Sequence, residues 1–354
     1  MGTLTSSINS PQNVVPPATL DDLRCYGVRS ATEVLNTQPS PDQREYLVEG
    51  LVGLRQIFIL CGDSGHGKSP FAYQGSLSVT ANKPFMGLQV RQAAALYLDF
   101  EDSLADSELY IRPMLAGLGL SAPPPLWRVW HALEAPPTVD VVKVVQDWLE
   151  CPEHAEMPKL LVIDPYEEWP DASIKNEEVR RVFGTFRRWQ RQFRLTVWLN
   201  HHINKEPTHV ADRAAMPALR DNPRRWLERS RGGKNLMNAS DGRAGFEEQG
   251  EDRVLVAGFR RARGKIGPFD IARQLDEDGE PLYYRRLNSA ELLDDEEARL
   301  YGKLPQEFRT LDVKGLGVGH NQTCDRLLKH WQEQAIIRRV RKGVYQKCGS
   351  QENV

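Results

Sequence analysis

The chain has 354 residues, of which 40% are hydrophobic, 27% charged and 8% aromatic, a globular composition that excludes a fibrous or wholly disordered protein. Its 46 Lys and Arg against 48 Asp and Glu give a formal charge of −2, so the chain as a whole is not an electrostatic nucleic-acid binder, and local charge decides instead. The longest apolar runs, Ile57 to Cys61 and Leu160 to Ile163 among them, fall far short of the roughly 20 residues of a membrane-spanning helix, so no membrane partner is expected.

Residues 1–40, rich in Ser, Asn, Pro and Thr, read as a flexible N-terminal lead-in without the basic and apolar regions of a signal peptide, and a cytoplasmic location is expected. Five cysteines without a CxxC pair fit a reducing compartment and no structural zinc. Beyond about residue 20, where the Ser-, Asn-, Pro- and Thr-rich part ends, lie two short amphipathic stretches, Leu20 to Tyr26 and Ser40 to Leu51, the second opening Ser-Pro as a capped helix does.

From Arg55 to about Tyr284, strand-like runs alternate with helical patterns, which predicts an α/β domain with a mostly parallel, twisted sheet. The strands are expected at Ile57 to Cys61, Ala95 to Phe100, Leu160 to Ile163, Leu195 to Leu199 and Val254 to Phe259. After Asn176, the residues Val179, Val182, Phe183, Phe186, Trp189 and Phe193 form one apolar helical stripe; Arg180, Arg181, Arg187, Arg188 and Arg191 are read as its solvated face.

Residues 289–304 form an acidic, Leu-rich linker. Beyond it, residues 305–354 read as a separate module, which between Arg309 and Lys347 carries a net +6. Its pattern of helix, helix, Ile-rich strand, basic turn and returning strand predicts a small winged-helix-like domain. Arg338, Arg339, Arg341 and Lys342 would then contact phosphates, or the module would dock protein.

The chemistry is carried by Gly62-Asp63-Ser64-Gly65-His66-Gly67-Lys68-Ser69, which satisfies GxxxxGK[ST] directly after a strand and before an apolar helix. Such a match arises by chance in roughly one per cent of chains this long. Its glycines let backbone N–H groups close around phosphates, Lys68 reaches the β and γ phosphates of ATP, and Ser69 ligates Mg²⁺. A second metal carboxylate is expected, and Asp164 supplies it at the end of the apolar run from Lys159.

Two more strands place polar groups at the edge where open α/β sheets bind ligands. One ends in Glu101, which can polarise an attacking water; the other ends in Asn200-His201-His202, either imidazole being able to face the nucleotide.

The succession of P-loop, "YLDFEDS", "LLVIDP" and "WLNHHINK" resembles the RecA-like ATPases, specifically the RepA-like hexameric helicases of plasmids and mobile elements and their DnaB relatives. The resemblance assigns residues 41–288 to a RecA-like P-loop domain. It implies Glu101 as catalytic base and His201 as reporter of the γ-phosphate. From "FRRARGKIGP" it implies Arg261 and Arg263 as fingers entering a neighbouring subunit's site. "RSRGGKN" places Arg231 where the family has its own arginine, although Gly233 and Lys234 stand where small hydroxyl residues are usual. The polar stretch from Ile203 to Lys234, with eight basic and four acidic residues, occupies the place of the family's channel loop, so Arg220, Arg224 and Arg225 are expected to meet phosphates.

The function expected from these features is an ATP-hydrolysing DNA motor in replication or mobile-element maintenance: a homo-oligomer, a hexamer, acting on single-stranded or forked DNA beside replication proteins. A nucleotide-switched DNA-binding regulator without unwinding activity is the alternative. A small-molecule kinase fits less well, since nothing in the chain resembles a lid.

Overall fold

The computed structural model describes residue 32 and residues 45–172, 175–204, 217–230, 233–250, 252–260, 264–275, 281–287, 291–293, 295–317, 321–333 and 336–348. Residues 1–45 and 46–354 form two units, and the described part is almost entirely the second. The expected helix from Ser40 to Leu51 is replaced, where described, by a hairpin of β1 (Tyr46–Val48) and β2 (Val52–Gly53). Gly50 takes the left-handed turn at φ 68°, and Leu47, Val48, Leu51 and Val52 are all fully buried, a density of apolar side chains that a one-faced helix would leave half in water.

The central sheet has nine strands: β3 (Ile57–Gly62), β4 (Ala94–Asp99), β5 (Trp127–His131), β6 (Lys159–Asp164), β7 (Leu195–His202), β8 (Gly242–Glu248), β9 (Arg253–Arg260), β10 (Lys265–Leu275) and β11 (Pro281–Arg286). Their order is β11-β10-β9-β8-β3-β7-β6-β4-β5. From β8 to β5 all neighbours are parallel, and β9, β10 and β11 extend the sheet antiparallel beyond β8. This is the mostly parallel α/β architecture expected from the sequence.

Strands β3, β4 and β6 are buried at every position, as a parallel sheet covered on both faces requires. Alternate residues divide the core in two. Phe58, Leu60, Tyr97, Leu160, Val162 and Trp198 pack toward α1 (Lys68–Ala81), while Ile57, Ile59, Leu161, Ile163, Val197 and Leu199 meet α4 (Asn176–Phe193) and α3 (Val141–Leu149). Helix α4 buries the stripe of Val179, Val182, Phe183, Phe186 and Trp189. Arg187 departs from its solvated face: it forms an ion pair with Asp241, whose Oδ2 also accepts the Ile57 N–H at 2.9 Å, tying α4 to the start of β3.

The C-terminal domain holds α7 (Asp295–Lys303), β12 (Glu307–Arg309), α8 (Thr310–Gly315), α9 (Asn321–Glu333), β13 (Ile337–Arg341) and β14 (Val344–Lys347). Its three strands pair antiparallel in the order β12-β14-β13, giving the helix-and-wing arrangement expected. The reading of 289–304 as a linker is corrected. Leu293, Leu300, Tyr301 and Leu304 share one apolar cluster with Phe308, Val313, Trp331 and Ile336, so α7 belongs to this domain's core. Among the described residues no helix is long and apolar enough to cross a membrane.

Trp198 stands at the centre of the α1-facing core, fully buried, with Phe58 at 5.1 Å and Phe71 at 6.0 Å between ring centroids. Trp198→Ala is expected to cost about 3–5 kcal/mol, read as a lowered urea midpoint.

Candidate nucleotide-binding site

At the end of β3 the chain turns through residues 63–67 and enters α1 at Lys68. Gly65 (φ 78°) and Gly67 (φ 85°) are both left-handed, and a Cβ on Gly67 would fall 2.3 Å from the Tyr284 hydroxyl, so this turn requires glycine twice. Pro70 costs nothing in the first helical turn, whose N–H groups have no partner inside the helix and are free for an anion. Lys68 is 5% exposed, and its Nζ donates to the Asp63 carbonyl at 2.6 Å, across the mouth of the turn. Burial lowers its pKa, opposed by the negative charge of Asp164 and by the other acids around it.

The outer face of this turn is braced by the antiparallel end of the sheet. Tyr284 on β11 donates to the Gly67 carbonyl at 2.8 Å. Arg273 on β10 donates to the His66 carbonyl while pairing with Glu248 of β8 at 2.8 Å. Gln74 of α1 completes the brace, its amide donating to the Tyr284 carbonyl at 2.8 Å and accepting the Tyr284 N–H at 2.5 Å. The sequence reading missed these four residues because Gln74 carries no local mark within α1, while Glu248, Arg273 and Tyr284 lie far from the P-loop along the chain and only sheet register brings β8, β10 and β11 to it.

Strand β7 runs between β3 and β6, so its tip lies between the P-loop and Asp164. Asp164 is 5% exposed and accepts a hydrogen bond from Tyr97. Burial raises its pKa, and hydrogen bonds from Tyr97 and Ser69 oppose that rise. Asp99 is its register partner on β4. The Asp99 Oδ1 accepts the N–H groups of Glu101 (3.1 Å) and Asp102 (2.8 Å), and its Oδ2 accepts the Tyr73 hydroxyl.

Glu101 follows at the rim, its side chain 56% exposed, with the His202 Nε2 at 3.8 Å. His202 holds the Glu101 carboxyl below the usual carboxylate range. His202 is also the register partner of Gly62, the first P-loop residue.

His201, expected at the nucleotide, is turned to the opposite face of the sheet. It is 1% exposed, packs on Tyr166 at 6.0 Å between ring centroids, and its Nδ1 lies 3.0 Å from Glu167 Oε1. Side chains alternate along a strand, so His202 shares the α1 side with Trp198 while His201 shares the other side with Leu199.

Glu167 was not singled out in the sequence, where it is one of two adjacent acids after Asp164-Pro165. In the structure it also accepts the His202 N–H at 3.0 Å. Burial works to raise its pKa, but the hydrogen bond and charge of His201, with the His202 N–H, hold it at about 2.

The remaining expected residues lie apart from this rim. Arg220 is committed to an ion pair with Asp270, with side chains 18% and 15% exposed, and so is not free to meet a phosphate. Arg224 is exposed and lies 4.7 Å from the Phe259 ring centre; Arg225 is exposed beside it. Arg338, Arg339, Arg341 and Lys342 are exposed on β13 and its turn, with Arg338 bonded to Gln346. Arg231, Arg261 and Arg263 lie outside the described residues.

The donor set suits ATP with Mg²⁺. Ser69 and Asp164 offer oxygen to a hard cation, next to free helix N–H groups and the Lys68 ammonium. Among the described residues no group of three or more His, Cys, Asp or Glu is placed to hold a metal ion by itself.

Asp102 introduces a pH dependence. Burial, then the negative charges of Asp99, Asp164, Asp106 and Glu101, push its carboxyl up to about 7. The folded protein thus keeps a proton that the unfolded chain loses near pH 4, so this group's contribution to stability falls as pH rises from about 4 to about 7. Asp102→Asn should remove that fall. Its stability relative to the parent protein should be greater at about pH 8 than at about pH 5, read from urea midpoints; the same difference at both pH values would contradict it.

A search of curated proteins finds no match. Among solved structures, a KaiC-like protein from the hyperthermophilic archaeon Pyrococcus horikoshii OT3 is similar at 14% identity and a TM-score of 0.41, over 70% of this chain and 95% of that one, a likeness too distant to carry an argument. The AAA domain profile matches residues 27–208, just over half of the chain, a span that includes the P-loop, Glu101, Asp164, Glu167 and His202. The chain belongs to the AAA domain family, with a P-loop ATPase core.

Proposed function

We propose that this chain is an ATP-driven DNA motor, a ring-forming helicase of the RepA-like kind. The observation that carries the reading is the convergence of Lys68, Ser69, Asp164 and Glu101 on one sheet edge, with His202 bridging from β7. Lys68 neutralises phosphate charge, and Glu101, held ionised by His202, orients the attacking water and takes up its proton. Ser69 and Asp164 would hold Mg²⁺, which neutralises charge on the β and γ phosphates.

The sheet register supports a site shared between subunits. Arg260 pairs with Gly242, and Gly242 pairs with Phe58, at the start of β3; the Arg260 N–H donates to the Gly264 carbonyl at 2.7 Å. Arg260 and Gly264 therefore stand at the sheet edge opposite the P-loop. A copy stacked head-to-tail would bring that edge to its neighbour's nucleotide, in a contact that closes into a ring, and Arg261 and Arg263, next to Arg260 in the sequence, are the cations we assign to it. The exposed cations of β13 and its turn, with Arg224 and Arg225, supply sequence-independent phosphate contacts to DNA.

Lys68→Ala should abolish ATP turnover, and Arg263→Ala should leave ATP binding nearly intact while stopping hydrolysis. In steady state, single-stranded DNA should raise the ATPase rate tenfold or more, about 1.4 kcal/mol of barrier. A forked substrate should be opened in a strand-displacement assay. A rate indifferent to both single-stranded and duplex DNA overturns the motor and favours a nucleotide-switched regulator; full turnover in Arg263→Ala overturns the shared site.

A further inference from the structure

Five residues beyond Lys68 on α1, Tyr73 is fully buried, and its ring stacks on that of Tyr97 from β4 with centroids 3.9 Å apart and planes within 10°. An apolar contact of this kind would be equally served by Phe. The Tyr73 hydroxyl nevertheless donates to Asp99 Oδ2 at 2.5 Å and lies 3.0 Å from the Ser107 Oγ on the next helix, α2 (Leu104–Gly117).

Asp99 is 2% exposed, so its two oxygens must be satisfied by protein donors. It has two sets of them. Tyr73 and Ser107 serve one oxygen, and the N–H groups of Glu101 and Asp102 serve the other. The orientation of this one carboxylate therefore links the P-loop helix to the turn that carries Glu101. Burial and the Asp99 charge hold the Tyr73 hydroxyl far above its usual pKa, so it remains a donor.

We propose that Tyr73 is a positioning residue for Glu101, acting through Asp99 to hold the rim carboxylate in register with the P-loop. The inference rests on the reading of Glu101 as the group that orients water. Displacement of a catalytic group by about 1 Å costs on the order of a hundredfold in rate, so loss of one hydroxyl behind it has a measurable effect on turnover with no contact to nucleotide.

The test is a cycle of Tyr73→Phe, Glu101→Gln and the double variant in the full chain. It reads kcat and KM for ATP, affinity for a fluorescent ATP analogue, and residual single-turnover rates. Tyr73→Phe should lower kcat about tenfold with KM and analogue affinity unchanged within about twofold. In the Glu101→Gln background the same substitution should cost almost nothing further, because the group it positions is gone. An unchanged kcat in Tyr73→Phe overturns the inference, as does a loss that persists in full beside Glu101→Gln, which marks a general structural effect.

The underlying reading fails separately, through full turnover in Glu101→Gln alone. If Tyr73→Phe does not fold, Asp99→Asn addresses the same link. It should lower kcat without changing analogue affinity, and an unchanged kcat overturns the inference equally.

Discussion

The site depends on satisfying two buried carboxyl groups, Asp99 and Asp164, at register-paired positions on adjacent strands. Two such groups in a medium of low polarity lose their hydration, so each needs donors from the protein. The stacked tyrosines provide them, Tyr73 to Asp99 and Tyr97 to Asp164. Because Tyr73 comes from the P-loop helix and Tyr97 from the strand that leads to Glu101, satisfying the carboxylates also aligns the parts of the site. The Lys68 ammonium adds an opposite charge close to Asp164.

A second set of contacts fixes the P-loop from outside. Tyr284 and Arg273 bond the carbonyls of Gly67 and His66, which leaves the helix N–H groups pointing to the mouth of the turn. Gln74 holds Tyr284 to α1 through a paired amide bond, which joins the antiparallel end of the sheet directly to the P-loop helix. The third element is Glu167. By pairing with His201 and accepting the His202 backbone N–H, it ties the turn after Asp164 to the tip of β7 and so sets where His202 stands beside Glu101.

Local sequence determined much of this protein. The P-loop is legible because its eight residues are contiguous, and its glycines are required by backbone conformation whatever surrounds them. Strands β3, β4, β6 and β7 are legible as apolar runs because a sheet covered on both faces buries every position. The stripe of α4 and the basic turn after β13 follow from periodicity and composition alone. The hairpin at Tyr46–Gly53 was misread as helix because its buried residues come in pairs, which over so short a span fit either period.

Tertiary structure decided which polar groups belong together. The choice between His201 and His202 is a matter of pleat, settled only when β7 is placed between β3 and β6. Glu167, Arg273 and Tyr284 carry no local signature, since their partners are 25 to 217 residues away in the chain. Arg220 looked like a free cation until Asp270, fifty residues on, was folded against it. Motifs whose geometry is set by consecutive backbone are written in the sequence, whereas charge pairing across strands depends on register, which exists only once the sheet has formed.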